Sequence, residues 1–300
     1  MKAILLGGTG FIGRALASGL LDKGWEVAVA TRDPSRYADR EGGIEYVSWD
    51  GGWEAALEGA QAVVNLVGEN ISAGRWTRER KARILKSRVA AGEAVVRALE
   101  AATNKPALLV QASATGWYGG REDEILDETS APGTGFLSEV CRAWEASTAR
   151  AEDMGVRRVV VRTGVVLGPG GLVLKKFLPA FKLFLGGPLG SGKQWFPWIH
   201  LRDEVRAILH LMEDSTATGA YNLTAPEPVT MRAFCRALGK AMKRPSYLPV
   251  PGFALKALLG EMAVELILQG QRALPKRLLT SGFEFRFPGV DAALDNILSA

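Results

Sequence analysis

The sequence predicts an α/β protein: a doubly wound parallel sheet with helices on both faces, followed by a small, mostly helical C-terminal lobe. Three observations carry that expectation. The first half of the chain alternates short β-branched runs with segments of helical period, as strands joined by crossover helices do. A glycine-rich turn directly follows the first run. Beyond Gly168 the alternation gives way to glycine, proline and aromatic residues without a clean period.

Each element follows from its local pattern. Residues 3–6 form an apolar run bounded by Gly7 and Gly8, the mark of a short strand buried on both faces. Segment 11–23 has helical period and stops at Gly24, a residue suited to a helix end. Strands over 26–30 and 44–48, a short helix over 53–57 and a strand over 62–66 come next. A long helix over 78–102, a strand over 108–112, a helix over 136–153 closed by Gly155 and a strand over 158–162 complete the alternation.

The stretch 169–197 then reads as loops around one short helix, while 198–225 returns to the main sheet. Thr230 is the expected N-cap of a following helix, and 252–270 and 291–299 are further helical stretches. The expected division is a nucleotide-binding domain of 1–168 with 198–225, and a substrate lobe of 169–197 with 226–300.

Composition narrows the function classes. With 47% hydrophobic and 23% charged residues in 300, the chain is that of an ordinary globular protein with a sizeable core. A net charge of +5, from 37 basic against 32 acidic residues spread along the chain, suits a small anionic ligand and argues against nucleic acid. Cys141 and Cys235 are far apart with no histidine-rich company, so neither a disulfide framework nor a metal site is expected. The N-terminal apolar run is too short for a leader or a span, which predicts a cytoplasmic protein without a membrane partner.

Chemistry begins at "AILLGGTGFIGRAL", where Gly7, Gly10 and Gly13 lie between a strand and a helix. In that context the first glycine makes the tight turn, the second admits a pyrophosphate close to the backbone and the third lets helix and strand pack. The helix start adds free amides and the positive end of its dipole. The arrangement predicts a dinucleotide site of the Rossmann type. At the end of the second strand stand Thr31 and Arg32, with Arg36 beyond. A guanidinium favours a 2′-phosphate, hence NADP(H), although Asp33 would serve a bare ribose if the register moved by one, and Arg32 could be a solvated loop charge.

Beyond the glycine turn, "QAVVNLVGE" (61–69), "QASATGWYG" (111–119), "RTGVVLGPGG" (162–171) and "YNLTAP" (221–226) resemble the extended short-chain dehydrogenase/reductase superfamily. "GGPLGSGKQWFPWIHLRDEV" (186–205) and "LPKRLLTSGFEFRFP" (274–288) are similar, more narrowly, to its NAD(P)-dependent epimerase subgroup, the SulA-like nucleoside-diphosphate-sugar epimerases. The resemblance covers nearly the whole chain. It implies that Thr9, Gly10, Phe11 and Ile12, with Thr31 and Arg32, hold the pyrophosphate and adenosine end of NADP(H). It implies further that Leu66, Val67, Gly68 and Glu69 run beside the ribose, that Arg88 approaches from the neighbouring helix, and that the Val165 backbone meets the nicotinamide amide. Read as residues alone, Leu66, Val67 and Val165 are core positions and Arg88 is a helix-surface charge.

The resemblance also exposes a departure. Standard members carry Tyr-x-x-x-Lys on the helix after the fifth strand, a spacing that sets phenol and ammonium on one face. Here "FLSEVCRAWE" puts Leu137 and Cys141 at those places, or Phe136 and Val140 one register over, and no tyrosine in the chain has a lysine four residues later. Proton transfer must then come from elsewhere in the cleft. Ser113 at the end of the fifth strand is the first candidate, against a turn role; Glu69 follows, against a hydrogen-bond acceptor, and Thr115 with it; Tyr118, Glu139 and Cys141 are near. Cys141 needs an electropositive setting to react and is otherwise a small buried hydrophobe.

On the lobe, Lys193 and Trp198 are the candidate substrate contacts, a cation for diphosphate and an indole for a base or sugar, with aromatic packing as the alternative for "WFPWIH". His200 and Asp203 most simply organise the return to the sheet. Two functions follow: an NADP-dependent oxidoreductase or epimerase acting on a nucleotide sugar or another small carbonyl substrate with a non-standard proton donor, or a non-catalytic, NADP-responsive binding protein.

Overall fold

A computed structural model describes residues 1–37 and 42–299. Its centre is a seven-stranded sheet. In chain order the strands are β1 (Lys2–Leu6), β2 (Glu26–Thr31), β3 (Ile44–Ser48), β4 (Ala62–Asn65), β5 (Leu108–Ala114), β6 (Arg157–Thr163) and β7 (Gly219–Leu223). Their spatial order is β7-β6-β5-β4-β1-β2-β3, and every neighbouring pair is parallel. The order reverses its direction beside β1, and ligands of such sheets bind in the crevice outside the carboxyl ends of the strands at that reversal.

The helices are α1 (Phe11–Asp22), α2 (Trp53–Leu57), α3 (Arg78–Ala101), α4 (Phe136–Ala146), α5 (Leu172–Lys182), α6 (Leu201–Glu213) and α7 (Met231–Met242). Side chains alternate across β1: Ala3 and Leu5 join Leu16 and Leu20 of α1 and Ile208 of α6, whereas Ile4 and Leu6 join Trp53 of α2 and Val95 and Leu99 of α3. Burial on both faces explains why the strands read as continuous apolar runs. A third cluster brings Leu174 and Phe181 of α5 and Phe234 and Leu238 of α7 together with Trp198 and the C-terminal helix Val290–Leu298.

The elements arise where the sequence places them, with adjustments at their ends. Thr77 caps α3 by accepting from Arg80 N–H (3.2 Å), and Thr230 caps α7 by accepting from Ala233 N–H (3.3 Å). The helix expected over 136–153 ends at Ala146 and resumes as 3₁₀ turns over Ala149–Met154. The Ser147 hydroxyl donates to Trp144 O (2.7 Å), and serine and threonine hydroxyls that bond the preceding turn compete with the helical ladder. The stretch expected as one helix over 252–270 is three pieces: helices Gly252–Leu259 and Glu261–Ala263, then a π turn over Val264–Leu268. Gly260 takes φ +64° between the first two, where a continuous helix cannot pass. The fifth strand runs two residues further than 112, which carries Ser113 into the sheet.

Candidate functional site

A cleft of about 930 Å³ opens at the carboxyl ends of β1, β2 and β4. Gly7, Thr9, Gly10, Thr31 and Arg32 line one side, and Leu66, Val67, Gly68 and Glu69 the other. The turn between β1 and α1 needs its glycines. Gly7 has φ +82°, and a Cβ there would stand 2.9 Å from Leu66 C; at Gly13 it would stand 2.5 Å from Gly7 O. The first helical bond of α1 runs from Arg14 N–H to Gly10 O (3.0 Å), so the amides of Phe11, Ile12 and Gly13 precede the ladder at the helix start. Phe11 also packs beside Gly168 and Gly171, where its ring would lie 3.1 Å from an added Cβ.

At the far end Arg32 and Arg36 are exposed on the cleft rim. Asp33, beside them, accepts from the Ser35 hydroxyl (2.6 Å), and this bond with the neighbouring Arg36 holds its carboxyl below the usual range. The Leu66–Glu69 rim is fixed from beneath by a buried amide pair: Asn65 Nδ2 donates to Gln111 Oε1 (3.0 Å), and Asn65 Oδ1 accepts from Val67 N–H (3.2 Å). These two amides carry no signal in the sequence beyond being polar within apolar strands.

Arg88 is not a helix-surface charge. It is 9% exposed, its Nη1 donates to Glu69 O (3.1 Å) and Ile84 O (3.0 Å), and its guanidinium lies 4.8 Å from the Trp144 ring. A Cβ on Gly68 would stand 2.9 Å from its Cζ, so glycine there is what lets the arginine lie under the rim. Burial pulls its pKa down, while nearby Cys141 and Glu69 oppose that shift. The Glu69 carboxylate pairs with Arg80 (3.4 Å) and Arg83 (3.5 Å), an arrangement suited to an anchored acceptor. Val165 sits at the start of a short strand, Val165–Leu167, and its N–H donates to Pro197 O (2.7 Å).

Around the end of β5 the structure assembles a polar chain that the sequence did not announce. The Ser113 hydroxyl donates to Glu145 Oε1 (2.6 Å). Glu145 is held at both oxygens by Arg162, Nε to Oε1 (2.9 Å) and Nη2 to Oε2 (3.1 Å). Arg162 Nη1 reaches the Tyr118 hydroxyl (3.3 Å), which donates to Asn222 Oδ1 (2.7 Å), and Trp117 covers the guanidinium face at 3.9 Å. Two signals were available: Glu145 lies four residues after Cys141 and eight after Leu137 on one helical stripe, and Arg162 is a charge within a buried strand.

Cys141 is a buried neutral thiol. Burial, with Glu145 next, pushes its pKa up to about 11, and Sγ lies 3.7 Å from Ala114 O. Leu137 and Cys141 both face Gly116, while Phe136 packs edge-on to Trp76 at 5.0 Å. The part of α4 around Phe136, Leu137 and Cys141 is accordingly apolar. Its start is capped from the lobe: Glu265 accepts from Phe136 N–H and Leu137 N–H, each at 2.8 Å.

The remaining expectations separate. Thr115 is buried in the turn after β5. Lys193 is exposed. Trp198 is 1% exposed within the third cluster, so its indole packs the lobe and cannot stack on a substrate; here aromatic packing replaces the expected substrate contact. His200 accepts from Arg202 N–H (3.0 Å) as the cap of α6, and Asp203 accepts from Arg286 and Phe287 N–H, which ties the return segment to the C-terminal stretch. Among the described residues no group of acidic, histidine or cysteine side chains could hold a metal.

Residues 3–224 match the family described as NAD dependent epimerase/dehydratase. The chain belongs to that family. Residues 250–297 match a domain of unknown function, DUF1731, which spans the broken helices and the C-terminal helix. The chain is 41% identical over 304 residues to the epimerase family protein SDR39U1 homolog, chloroplastic, of Arabidopsis thaliana, covering 99% of this chain and 87% of that one. Human epimerase family protein SDR39U1 (isoform 2), crystallised with NADPH, superposes with a TM-score of 0.91 at 35% identity, covering 100% of this chain and 99% of the human one. A nucleoside-diphosphate sugar epimerase from Corynebacterium glutamicum matches at TM-score 0.76 and 30% identity, covering 99% of this chain and 58% of that longer one. In this epimerase-family chain, then, an intact nucleotide cleft meets an α4 without the usual acid pair.

Proposed function

We propose that this epimerase-family protein is an NADP(H)-dependent oxidoreductase or epimerase acting on a nucleotide sugar or another small carbonyl compound. The Ser113–Glu145 hydrogen bond of 2.6 Å carries the reading. The cofactor part is supported by the glycine turn, by Arg32 and Arg36 at the adenosine end and by NADPH in the human relative. The sugar part is supported by the Corynebacterium relative. In the proposed division, 1–168 with 198–225 holds the cofactor and 169–197 with 226–300 closes on the substrate. A cytoplasmic address accords with two free cysteines.

NADP(H), when bound, supplies the hydride acceptor or donor. The chain supplies the proton path: as a substrate hydroxyl is oxidised, Ser113 Oγ takes its proton while the serine's own proton passes to Glu145. Return of the same proton accompanies reduction, so one oxidation followed by one reduction leaves the path unchanged. Arg162 holds Glu145 in place at both oxygens. Glu69 and Arg88 brace the ribose side, and Lys193 is the lobe's cation for a diphosphate.

The test is turnover of NADPH with a panel of carbonyls and nucleotide sugars by wild type and by Ser113→Ala. Turnover lost in the variant, with NADPH binding retained, is the expected result; equal turnover in both would remove Ser113 from the reading. A second reading, a non-catalytic NADP-responsive protein, is favoured by the neutral Cys141 and by Leu137 at the acid-pair positions. Stereospecific transfer of label from NADPH to a small molecule would exclude it.

A further inference from the structure

The lobe carries a surface that the cofactor cleft does not use. Between Asp153 and Asp203, and again between Glu227 and Glu261, the chain contains no aspartate or glutamate. Parts of these two stretches run side by side. Leu248 N–H donates to Gly186 O (3.1 Å), Val250 N–H to Pro188 O (2.9 Å) and Gly190 N–H to Val250 O (2.9 Å).

Large apolar side chains stand out at the head of that strip: Leu183, Phe184 and Leu185 in the turn that leads into it from α5, and Tyr247 on the other side, more than half exposed each. The helix Gly252–Leu259 extends it. Of its eight residues only Leu255 is buried, while Phe253 is 77% and Leu258 68% exposed. Cations are interleaved with them, because Lys182, Lys243, Arg244 and Lys256 are all exposed, and the Arg244 guanidinium lies 4.5 Å from the Phe184 ring. Two carboxylates at the margins are already neutralised: Glu261 pairs with Lys81 (2.8 Å) and Asp291 with Lys240 (3.0 Å).

Single exposed leucines are ordinary on a protein surface, but a contiguous apolar patch marks an interaction site. Its charge decides among occupants. A second copy of the chain, docked through the same patch, would set one basic rim against another. An acidic protein would neutralise the rim, yet protein interfaces also use directional hydrogen bonds, and the strip "YLPVPGF" (247–253) offers only one polar side chain, that of Tyr247. Apolar and aromatic side chains set among lysine and arginine are the chemistry of attachment in the plane of an anionic bilayer surface.

We propose that this face docks the protein on an anionic phospholipid surface, with Phe184, Tyr247, Phe253 and Leu258 in the headgroup-to-acyl boundary and the four cations on lipid phosphates. Such attachment lies on the membrane; among the described residues no helix is long and apolar enough to cross one. The expectation of no membrane partner was drawn from the lack of a spanning segment, which attachment at the surface does not require. The docking is independent of the proposed reaction, since none of these residues touches the Ser113–Glu145 chain.

The experiment is co-sedimentation of the full chain with vesicles of phosphatidylcholine alone or with phosphatidylglycerol, at low and high salt. Wild type is expected to sediment with the phosphatidylglycerol vesicles at low salt and to be released by salt. The doubly substituted Phe253→Ser, Leu258→Ser and Lys182→Glu, Lys256→Glu proteins are expected to lose at least roughly tenfold in partitioning, with unchanged melting temperature and NADPH binding. Sedimentation that ignores phosphatidylglycerol, or variants that sediment as wild type does, overturns the proposal. So does binding to a glutamate–tyrosine copolymer without binding to vesicles, which assigns the face to an acidic protein. A dimer that the Phe253→Ser, Leu258→Ser protein abolishes, without vesicle binding, overturns it in favour of a second copy.

Discussion

Ser113 and Glu145 are 32 positions apart in the chain and share a 2.6 Å hydrogen bond, with Arg162 closing on the carboxylate from the next strand. A carboxylate held by a bidentate arginine is thereby turned toward the strand-end serine. Replacing Ser113 by Ala or Glu145 by Gln should lower kcat by about 10² to 10⁴ while leaving the NADPH dissociation constant within about threefold. Stopped-flow turnover with fluorescence binding on the same preparations checks both; a fall in affinity equal to the fall in rate would make the pair structural.

The glycine at position 13 is enforced by backbone. An alanine Cβ would meet Gly7 O at 2.5 Å and Gly8 Cα at 2.6 Å, neither of which can swing away. Gly13→Ala should weaken NADPH binding by at least tenfold and lower stability by about 1–3 kcal/mol. Isothermal titration and thermal melts are the measurements.

In the proposed site the choice of NADPH over NADH falls to the exposed Arg32 and Arg36. Substituting Arg32 and Arg36 together by Ala should cost about ten- to a hundredfold in NADPH affinity and leave NADH affinity nearly unchanged, because only NADPH carries the 2′-phosphate. Equal losses for both cofactors would place these side chains elsewhere on the nucleotide.

The pH dependence of stability has a specific source in Glu204, which accepts from the Thr163 hydroxyl (2.8 Å) and is 1% exposed. Burial lifts its carboxyl to about 8. Below about 4.5 both folded and unfolded forms are protonated and the group costs nothing. As the pH rises toward 8 the unfolded chain ionises first, so stability falls by a few kcal/mol across that window. Glu204→Gln, neutral throughout, should flatten that part of the melting-temperature profile; a wild-type slope in the variant would assign the dependence to other groups.

Cys141 should be silent. Its thiol is buried with its pKa pushed up to about 11, and so neutral near pH 7; Cys141→Ala should leave turnover within about twofold, and the native protein should resist alkylation at this position. Mass spectrometry after iodoacetamide treatment at neutral pH tests it directly.

The order of elements and the glycine turn were legible because both are local. Strand runs, helix periods and caps such as Thr230 are fixed by neighbours within a few residues, and Gly7 and Gly13 stand in a motif whose geometry is set by adjacent atoms. Where the sequence misled, a single local feature overrode the period: the Ser147 hydroxyl at the end of α4, and Gly260 breaking what reads as one helix.

What the sequence by itself determined is the doubly wound sheet, the dinucleotide turn and the absence of a Tyr-x-x-x-Lys pair. The tertiary structure alone decided what stands around that gap. Glu145 and Arg162 meet only when α4 lies across the ends of β5 and β6, Arg88 turns inward only because Gly68 has no side chain, and Trp198 is removed from the cleft by packing with the lobe. The reason is range: hydrogen bonds of a few ångströms join residues tens of positions apart, and no periodicity along a chain encodes which buried charge will face which.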